Sequence, residues 1–271
     1  MTSPDFLDLP PREAKPRSCG LTHMLDKGLP EAMFASVLEI AGAYIDIVKF
    51  GWGTAYVTPP QVTRAKIARC RAAGVHASPG GTLFELAVSQ GRLAEFAAWC
   101  AETGFDTIEI SDGTIDLGAV RRIALIRELA QDFRVVCEVG CKDTAADVDP
   151  EIWAEAMLAD LEAGATHVIA EGRESGTVGL YDGAGIPRED LVETLLAAVP
   201  AGRIIFETPT KAQQAWFVER LGAGANLGNV APEDIIGVET LRRGLRADTV
   251  TLAVSTWTSA WAAQQLMDRH G

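Results

Sequence analysis

The stretch that decides the fold is residues 167–180, HVIAEGRESGTVGL. Four mostly apolar residues run directly into Glu171-Gly172-Arg173-Glu174-Ser175-Gly176, so a short buried strand ends in charges set among glycines. In barrels of parallel strands, active sites form at the C-terminal ends of the strands, and glycine there lets the backbone approach an anion closely. The stretch therefore predicts a parallel strand whose end carries function.

The same pattern recurs along the chain. Short runs rich in strand-forming residues are each followed by turn residues and then by an amphipathic stretch of helix length. The predicted strands are residues 20–25, 44–50, 75–79, 107–111, 134–140, 167–172, 203–208 and 225–230. Eight alternating units predict a parallel sheet closed into a (β/α)8 TIM barrel. An open doubly wound sheet is the alternative.

The length and composition predict one α/β domain. The chain has 271 residues and is 48% hydrophobic, which is enough for a single large core. Residues 1–18, with Pro10, Pro11 and Pro16, form a predicted irregular N-terminal arm, and residues 19–271 form the predicted barrel domain. Roughly the last 25 residues are expected to add a C-terminal helix.

The charge and the cysteines exclude some partners and compartments. A net charge of −13 and a pI near 4.8 argue against nucleic acid or an anionic membrane as a partner. The chain shows neither an apolar N-terminal segment nor a stretch of about 18 uncharged apolar residues. Its five cysteines are scattered through apolar segments without a CxxC pair, which predicts reduced thiols in a cytoplasmic protein. A homo-oligomer is also expected.

The alternation of side chains along each strand sorts them between the barrel interior and the helices. In four neighbouring strands the inward set contains a glutamate close to the C-terminal end of the strand. Basic residues join the inward sets on other strands or just beyond their ends. The first strand, continued through Asp26, gives Thr22, Met24 and Asp26 as inward. The four glutamates and the three basic residues are Glu109, Glu138, Glu171, Glu207, Lys49, Lys142 and Arg173.

Four carboxylates in one barrel mouth require a cation among them. At an effective dielectric constant near 20 their repulsion amounts to several kcal/mol. The basic residues are internal candidates for this cation, and Mg²⁺ is the external one because it prefers oxygen ligands. The predicted metal ligands are Glu109, Asp112, Glu138 and Glu171. Ion pairs that only cap the barrel, with no chemistry, are the structural alternative.

Glycines after several strands add a prediction of anion binding. They occur in GWGT (51–54), PGGT (79–82), GRESG (172–176) and ANLGN (225–229). Loops after the last two strands of such barrels commonly hold phosphate. The predicted substrate contacts are Asp26, Glu207, Asn226, Gly228 and Asn229. No nucleotide-binding loop, zinc motif or nucleophile elbow occurs in the sequence, and His23 and His167 are expected to be satisfied structural histidines.

Nine motifs taken together resemble the phosphosulfolactate synthase family. They are GLTHMLDKGLP, YIDIVKFGWGT, PGGTLFE, EISDG, EVGCK, EGRESG, FETP, ANLGNV and ETLRRGLRADT, in this order over roughly residues 12–250. The resemblance implies a TIM barrel that needs Mg²⁺ and adds sulfite to phosphoenolpyruvate to form (2R)-phospho-3-sulfolactate. It also implies that Lys142 is catalytic. In addition to Lys142, we expect Lys49 and Arg173 to act in catalysis by holding phosphate or sulfite.

Three departures from the family pattern bear on function. The family usually shows EVGKK, GLRGDT and FEAP where this chain has EVGCK, GLRADT and FETP, so Cys141 replaces one lysine. These changes permit a shifted substrate and leave the acids in place. Two other functions stay open, namely an aldolase-like barrel that uses Lys49 or Lys142 as a Schiff-base nucleophile, and a non-catalytic, stress-related barrel.

Overall fold

The structure, a computed structural model, describes residues 6–140, 149–173 and 175–253. Eight parallel strands form one sheet in the order β3-β2-β1-β8-β7-β6-β5-β4. Strands adjacent in the chain are thus adjacent in the sheet, β8 pairs with β1, and β3 contacts β4. The sheet therefore curves into a nearly closed barrel, and the predicted (β/α)8 fold is confirmed. A doubly wound sheet is excluded, because its strand order would reverse at a switch point.

All eight predicted strands are present, and seven lie within their predicted ranges, while the first extends one residue beyond its range, to Asp26. They are β1 Thr22–Asp26, β2 Ile47–Phe50, β3 His76–Ser78, β4 Thr107–Ile110, β5 Arg134–Val139, β6 His167–Ala170, β7 Ile204–Glu207 and β8 Leu227–Val230. Several of the predicted runs also contained residues of the flanking turns.

Helices pack around the outside of this barrel. They are α1 Glu31–Ala41, α2 Thr54–Val57, α3 Pro60–Ala72, α4 Gly81–Ser89, α5 Leu93–Thr103, α6 Ala119–Leu129, α7 Pro150–Ala163, α8 Glu189–Ala198, α9 Lys211–Leu221 and α10 Ile235–Arg242. Residues 250–253 are also helical, and the rest of the predicted C-terminal helix lies outside the described residues. None of the helices in the described ranges is both long and apolar enough to cross a membrane.

The hydrophobic core has two layers. The larger layer lies between the strands and the helices, and a small cluster fills the barrel interior. The interior cluster is Ile47, Val136, Ile169 and Ile205. Each of these residues is followed two positions later by Lys49, Glu138, Glu171 or Glu207. Side chains two apart on a strand face the same way, so a charged layer lies directly above the apolar one. The predicted inward orientation of these charged residues is confirmed.

The predicted orientation of the first strand is wrong. Met24 belongs to the outer core, and the Asp26 carboxylate binds Lys66 Nζ of α3 at 2.7 Å, so both face the helices. The interior instead receives His23 and Leu25. Polar and apolar residues alternate ambiguously in THMLD, so the pattern carried no signal for either face.

Residues 6–18, which contain neither helix nor strand, pack against the N-terminal end of the barrel. Arg12 Nε binds Glu239 Oε2 at 2.9 Å, and Lys15 Nζ donates to the Gly42 carbonyl at 2.8 Å. Arg17 donates to the Ala43 carbonyl at 2.8 Å. Lys15 and Arg17 thus place positive charge beside carbonyl groups just after the C-terminus of α1, where positive charge is stabilising.

His23 lies inside the barrel beneath the charged layer. It is 1% exposed, and neither ring nitrogen has a hydrogen-bond partner among the described residues. His23 is buried, as expected of a structural histidine, but the expectation that its ring nitrogens are hydrogen-bonded is wrong. An unpaired buried imidazole is costly, and it is costlier still when charged.

Acidification is expected to destabilise the protein through His23. Burial, with the charge of Lys49, lowers the pKa of His23 from 6.5 to about 3. Between about pH 6.5 and pH 3, His23 is therefore protonated in the unfolded chain but neutral in the folded protein. This contribution to stability is complete above about pH 6.5 and is lost as the pH falls, by about 1.4 kcal/mol per pH unit. His23→Leu should remove this slope between about pH 6 and pH 4 in urea-unfolding measurements. An unchanged slope would contradict the assignment.

Candidate active site

A cavity of about 260 Å³ opens at the C-terminal ends of the strands. Every strand contributes to its lining, either by a residue of its own or by one within two residues of its end. In strand order these residues are Leu25, Lys49, Gly80, Glu109, Glu138, Glu171, Glu207 and Asn229. Trp52, Thr82, Ser111, Thr114 and Arg173 extend the walls. This is the end of a (β/α)8 barrel at which active sites occur.

Lys49 is the central cation of the cavity. Its Nζ atom lies 2.8 Å from Glu109 Oε1, 3.4 Å from Glu207 Oε1 and 3.7 Å from Glu138 Oε2. Burial lowers the pKa of Lys49, but the three carboxylates outweigh this effect, and the net pKa is well above its usual value. Lys49 is therefore a charged ammonium at neutral pH.

Glu109 is fixed between this ammonium and a helix N-terminus. Its Oε1 also accepts from the backbone N–H of Gly81 at 3.0 Å, and its Oε2 has no hydrogen-bond partner in the described ranges. Burial raises the pKa of Glu109, Lys49 opposes the shift, and Glu138 adds to it. Glycine is required at position 81, because a Cβ atom would lie 2.2 Å from Ser111 Oγ.

Glu138, Glu171 and Glu207 form a buried acidic triad. One carboxylate oxygen from each lies within 4.8 Å of the others, so the triad could bind a metal ion. Two of these carboxylates are oriented by backbone amides, since Gly172 N–H donates to Glu207 Oε2 at 3.0 Å and Arg173 N–H donates to Glu171 Oε1 at 2.8 Å. Buried carboxylate oxygens are the donors that Mg²⁺ prefers.

The structure brings seven of the predicted site residues together. They are Lys49, Glu109, Glu138, Glu171, Arg173, Glu207 and Asn229. The grouping of the carboxylates differs from the predicted one. Glu207, predicted as a substrate contact, lies in the triad, whereas Glu109, predicted as a metal ligand, lies outside it, and both roles stay predictions. Lys142 and Cys141 lie outside the described residues.

Four predicted site residues do not line the cavity. Asp112 Oδ1 binds Arg122 Nη1 at 2.9 Å, which turns this carboxylate away from the triad. Asp26 is held by Lys66 behind the barrel wall. The Asn226 amide binds backbone groups of Leu21, Gly202 and Ile204 at the opposite end of the barrel. Gly228 faces the interior below the cavity, where a Cβ atom would lie 2.9 Å from Ile205 Cγ2.

Asn229 supplies a polar group that the protein leaves unsatisfied. It is 7% exposed, and its Oδ1 has no hydrogen-bond partner among the described residues. A buried carbonyl without a donor costs about 1–3 kcal/mol, so a ligand that donates to it, or a cation, would recover that energy. The prediction that Asn229 contacts substrate stays a prediction, with this geometry in its favour.

Sequence patterns missed one wall of the cavity. Ser111 and Thr114 line it, and both hydroxyls donate to the buried carboxylate of Glu85 in α4. Thr114 N–H donates to the same carboxylate at 2.9 Å. The loop after β4 is thereby fastened to α4. The sequence EISDG followed by threonine does not reveal these hydrogen bonds, because their acceptor Glu85 lies in α4, which is separated from this loop by α5 and β4.

Backbone strain also concentrates at the cavity. Within the described ranges, the non-glycine residues with positive φ are Trp52 (56°), Arg173 (54°) and Asn229 (52°), and all three line this cavity. Such conformations cost of the order of 1–3 kcal/mol each and persist mainly where the side chain has a role.

Comparison with known proteins agrees with this geometry. The family model described as (2R)-phospho-3-sulfolactate synthase (ComA) matches residues 10–248. A phosphosulfolactate synthase of Methanothermobacter thermautotrophicus is 42% identical over 255 residues, covering 92% of this chain and 98% of that protein. One from Bacillus subtilis is 40% identical over 252 residues, covering 92% and 99%.

A solved structure supports the fold alone. The 3-keto-L-gulonate-6-phosphate decarboxylase of Vibrio cholerae superposes with a TM-score of 0.53 at 12% identity, covering 83% of this chain and 96% of that one.

Lys49 is expected to be needed for stability as well as for the site. Lys49→Met leaves buried carboxylates uncompensated and should lower the free energy of unfolding by about 3–5 kcal/mol at pH 7 without divalent ions. Glu109→Gln in the same background should restore part of the loss. Urea unfolding of both single variants and the double variant gives the coupling energy. Strictly additive effects would contradict a direct Lys49–Glu109 interaction.

Proposed function

The chain belongs to the (2R)-phospho-3-sulfolactate synthase family, an enzyme family of carbon–sulfur bond formation, and we propose that it adds sulfite to phosphoenolpyruvate with the help of Mg²⁺. The product would be (2R)-phospho-3-sulfolactate. The observation that carries the proposal is one cavity that holds a buried carboxylate triad beside Lys49 and Arg173.

The charge balance of the cavity supports a divalent ion. Counted by formal charge, the described lining has two basic and four acidic side chains, an excess of two negative charges. Both proposed substrates are anions, and such a lining would repel them. One divalent ion on Glu138, Glu171 and Glu207 would neutralise the excess, and the oxygen donor set fits Mg²⁺. Bound there, Mg²⁺ would supply Lewis acidity toward the substrate carboxylate.

The reaction itself is a conjugate addition. The sulfur lone pair forms a bond to C3 of phosphoenolpyruvate, and the electrons of the double bond move toward C2 and the carboxylate. Stabilising this developing negative charge is the main catalytic task. Lys49 is a charged ammonium inside the cavity and would favour that charge electrostatically. Arg173 offers a planar guanidinium for a phosphoryl or sulfite oxygen.

The last step needs a proton at C2. The resemblance to the family implies that Lys142 is catalytic, and in this proposal Lys142 donates the proton as a general acid, which would fix the configuration of the product. In this chain EVGCK keeps that lysine and replaces its neighbour by Cys141. The proposal therefore places the acid on Lys142.

The aldolase-like alternative is disfavoured for Lys49. A Schiff-base lysine must be neutral to attack a carbonyl group. Burial lowers the pKa of Lys49, yet Glu109, Glu207 and Glu138 raise it by more, so the amine stays protonated. Action in the cytoplasm, a homo-oligomeric state and a single-domain organisation stay predictions.

Phosphorus NMR tests the reaction directly. Purified protein with phosphoenolpyruvate, sulfite and Mg²⁺ should produce a new phosphate ester signal that requires sulfite. The signal should disappear without Mg²⁺ and in Lys142→Ala. Unchanged phosphoenolpyruvate with folded protein would contradict the proposed reaction, and a signal that survives in Lys142→Ala would contradict the role of that lysine alone.

Metal affinity separates the triad from the other predicted ligands. Glu207→Gln should weaken Mg²⁺ binding by at least about tenfold, because one of three anionic ligands is lost. Asp112→Asn is the matched control, since Asp112 binds Arg122 outside the triad, and should leave the affinity nearly unchanged. Calorimetric titration measures both. Equal effects of the two changes would contradict the assignment of the triad.

A further inference from the structure

Trp52 has the least expected backbone conformation in the cavity. Asparagine adopts left-handed backbone readily, but a bulky aromatic residue rarely does. Trp52 nevertheless has φ 56°, directly before Gly53 at φ 68°. Glycine at position 52 would adopt this conformation without strain. The presence of tryptophan therefore points to a use for its side chain.

The turn around Trp52 holds its ring at the mouth of the cavity. Gly51–Gly53 form a short 3₁₀ turn directly after β2. A Cβ atom on Gly51 would lie 2.4 Å from Leu25 Cδ1, so the turn packs closely on β1. Trp52 lines the cavity and is still 55% exposed. The residue thus borders the cavity while much of it is open to solvent.

Lys27 places a positive charge on this ring. Its Nζ atom lies 5.1 Å from the centroid of the Trp52 ring, within the range of a cation–π interaction. Lys27 belongs to the turn after β1, where Asp26 Oδ1 accepts from the backbone N–H groups of Gly28 and Leu29 at 2.9 and 2.8 Å. Asp26 is itself bound to Lys66. This buried ion pair therefore helps to fix the turn from which Lys27 reaches the ring.

We infer that Trp52 and Lys27 form a rim that positions anionic substrate: the ring covers the bound molecule, and the ammonium attracts its phosphoryl or sulfite oxygens at the entrance. This inference rests on the proposed function for the identity of the anions. It gives a role to two residues that lie within the quoted motifs but for which the sequence predicted none.

The net negative charge of the protein explains why a cation at this position would help anionic substrates to bind. The chain carries a net charge of −13, so anions approach it against repulsion. A cation at the entrance raises the local concentration of anions, an effect that salt screens over about 10 Å at 0.1 M. The contribution of Lys27 should accordingly depend on ionic strength, which distinguishes it from a packing contribution.

Steady-state kinetics test the rim against matched controls. Trp52→Ala should raise KM for phosphoenolpyruvate about tenfold with a smaller change in kcat, and Trp52→Phe should recover part of the loss. Tyr56→Ala removes another exposed aromatic side chain, four residues on and outside the cavity lining, and should leave both constants unchanged. An unchanged KM in Trp52→Ala would overturn the inference.

The role of Lys27 has its own control. Lys27→Gln should lower kcat/KM several-fold at low salt, and the difference from wild type should vanish near 0.5 M salt, roughly where the screening length falls below 5 Å. Arg127→Gln removes the same charge from the exposed last turn of α6, at the other end of the barrel, and should change kcat/KM little. Equal effects of the two variants would overturn the steering role.

A binding measurement separates failure of the rim from failure of the reaction. Phosphoenolpyruvate with Mg²⁺ and no sulfite should change the tryptophan fluorescence of wild-type protein, and Trp52→Phe should lose that change. If wild type makes no product but shows this Trp52-dependent signal, the reaction fails and the rim stands. If wild type is active and the signal does not depend on Trp52, the rim fails and the reaction stands. If neither turnover nor a signal is seen, both fail.

Discussion

The site depends on one buried ammonium surrounded by carboxylates. Lys49 reaches from β2 across the barrel to Glu109 on β4, Glu138 on β5 and Glu207 on β7. Without it, these acids could not remain ionised so close together away from water. The contacts contribute modestly to net stability, because desolvation offsets attraction, but they fix which carboxylate oxygens remain for other partners. Lys49 lies closest to Glu109, at 2.8 Å, and also borders the acidic triad through Glu207 and Glu138.

The same constraint explains which parts of the fold and site the sequence could predict. On β4 to β7 the face opposite each glutamate is apolar throughout, so alternation predicted the orientation of Glu109, Glu138, Glu171 and Glu207 correctly. In β1 both faces mix polar and apolar residues, and the assignment of Asp26 failed. Period-two patterning is informative only where the two faces differ in polarity.

Roles within the mouth could not be predicted from one chain. Whether a carboxylate meets Lys49 or its neighbouring acids is set by distances across the barrel, and sequence spacing contains no information about these. The difference between the predicted and the observed grouping of Glu109 and Glu207 has this origin. Asp112 follows β4 in the sequence but is captured by Arg122 of α6, a partner that local spacing does not reveal. Left-handed backbone at Trp52 and Asn229 gives no compositional signal either, because neither residue is glycine.

Backbone strain and buried charge occur in a different part of this barrel from the apolar packing that stabilises the fold. Apolar residues form the outer layer and the lower interior cluster, while buried carboxylates and the non-glycine residues with left-handed backbone in the described ranges gather at one end. Each of these features alone destabilises the folded state, and each is tolerated because the packing and hydrogen bonds of the surrounding barrel hold it in place. They also create what an acidic protein needs in order to bind anions, namely fixed local charge that outweighs the distant net charge at contact range. The destabilising features of this barrel therefore lie at the cavity, where the proposed chemistry needs them.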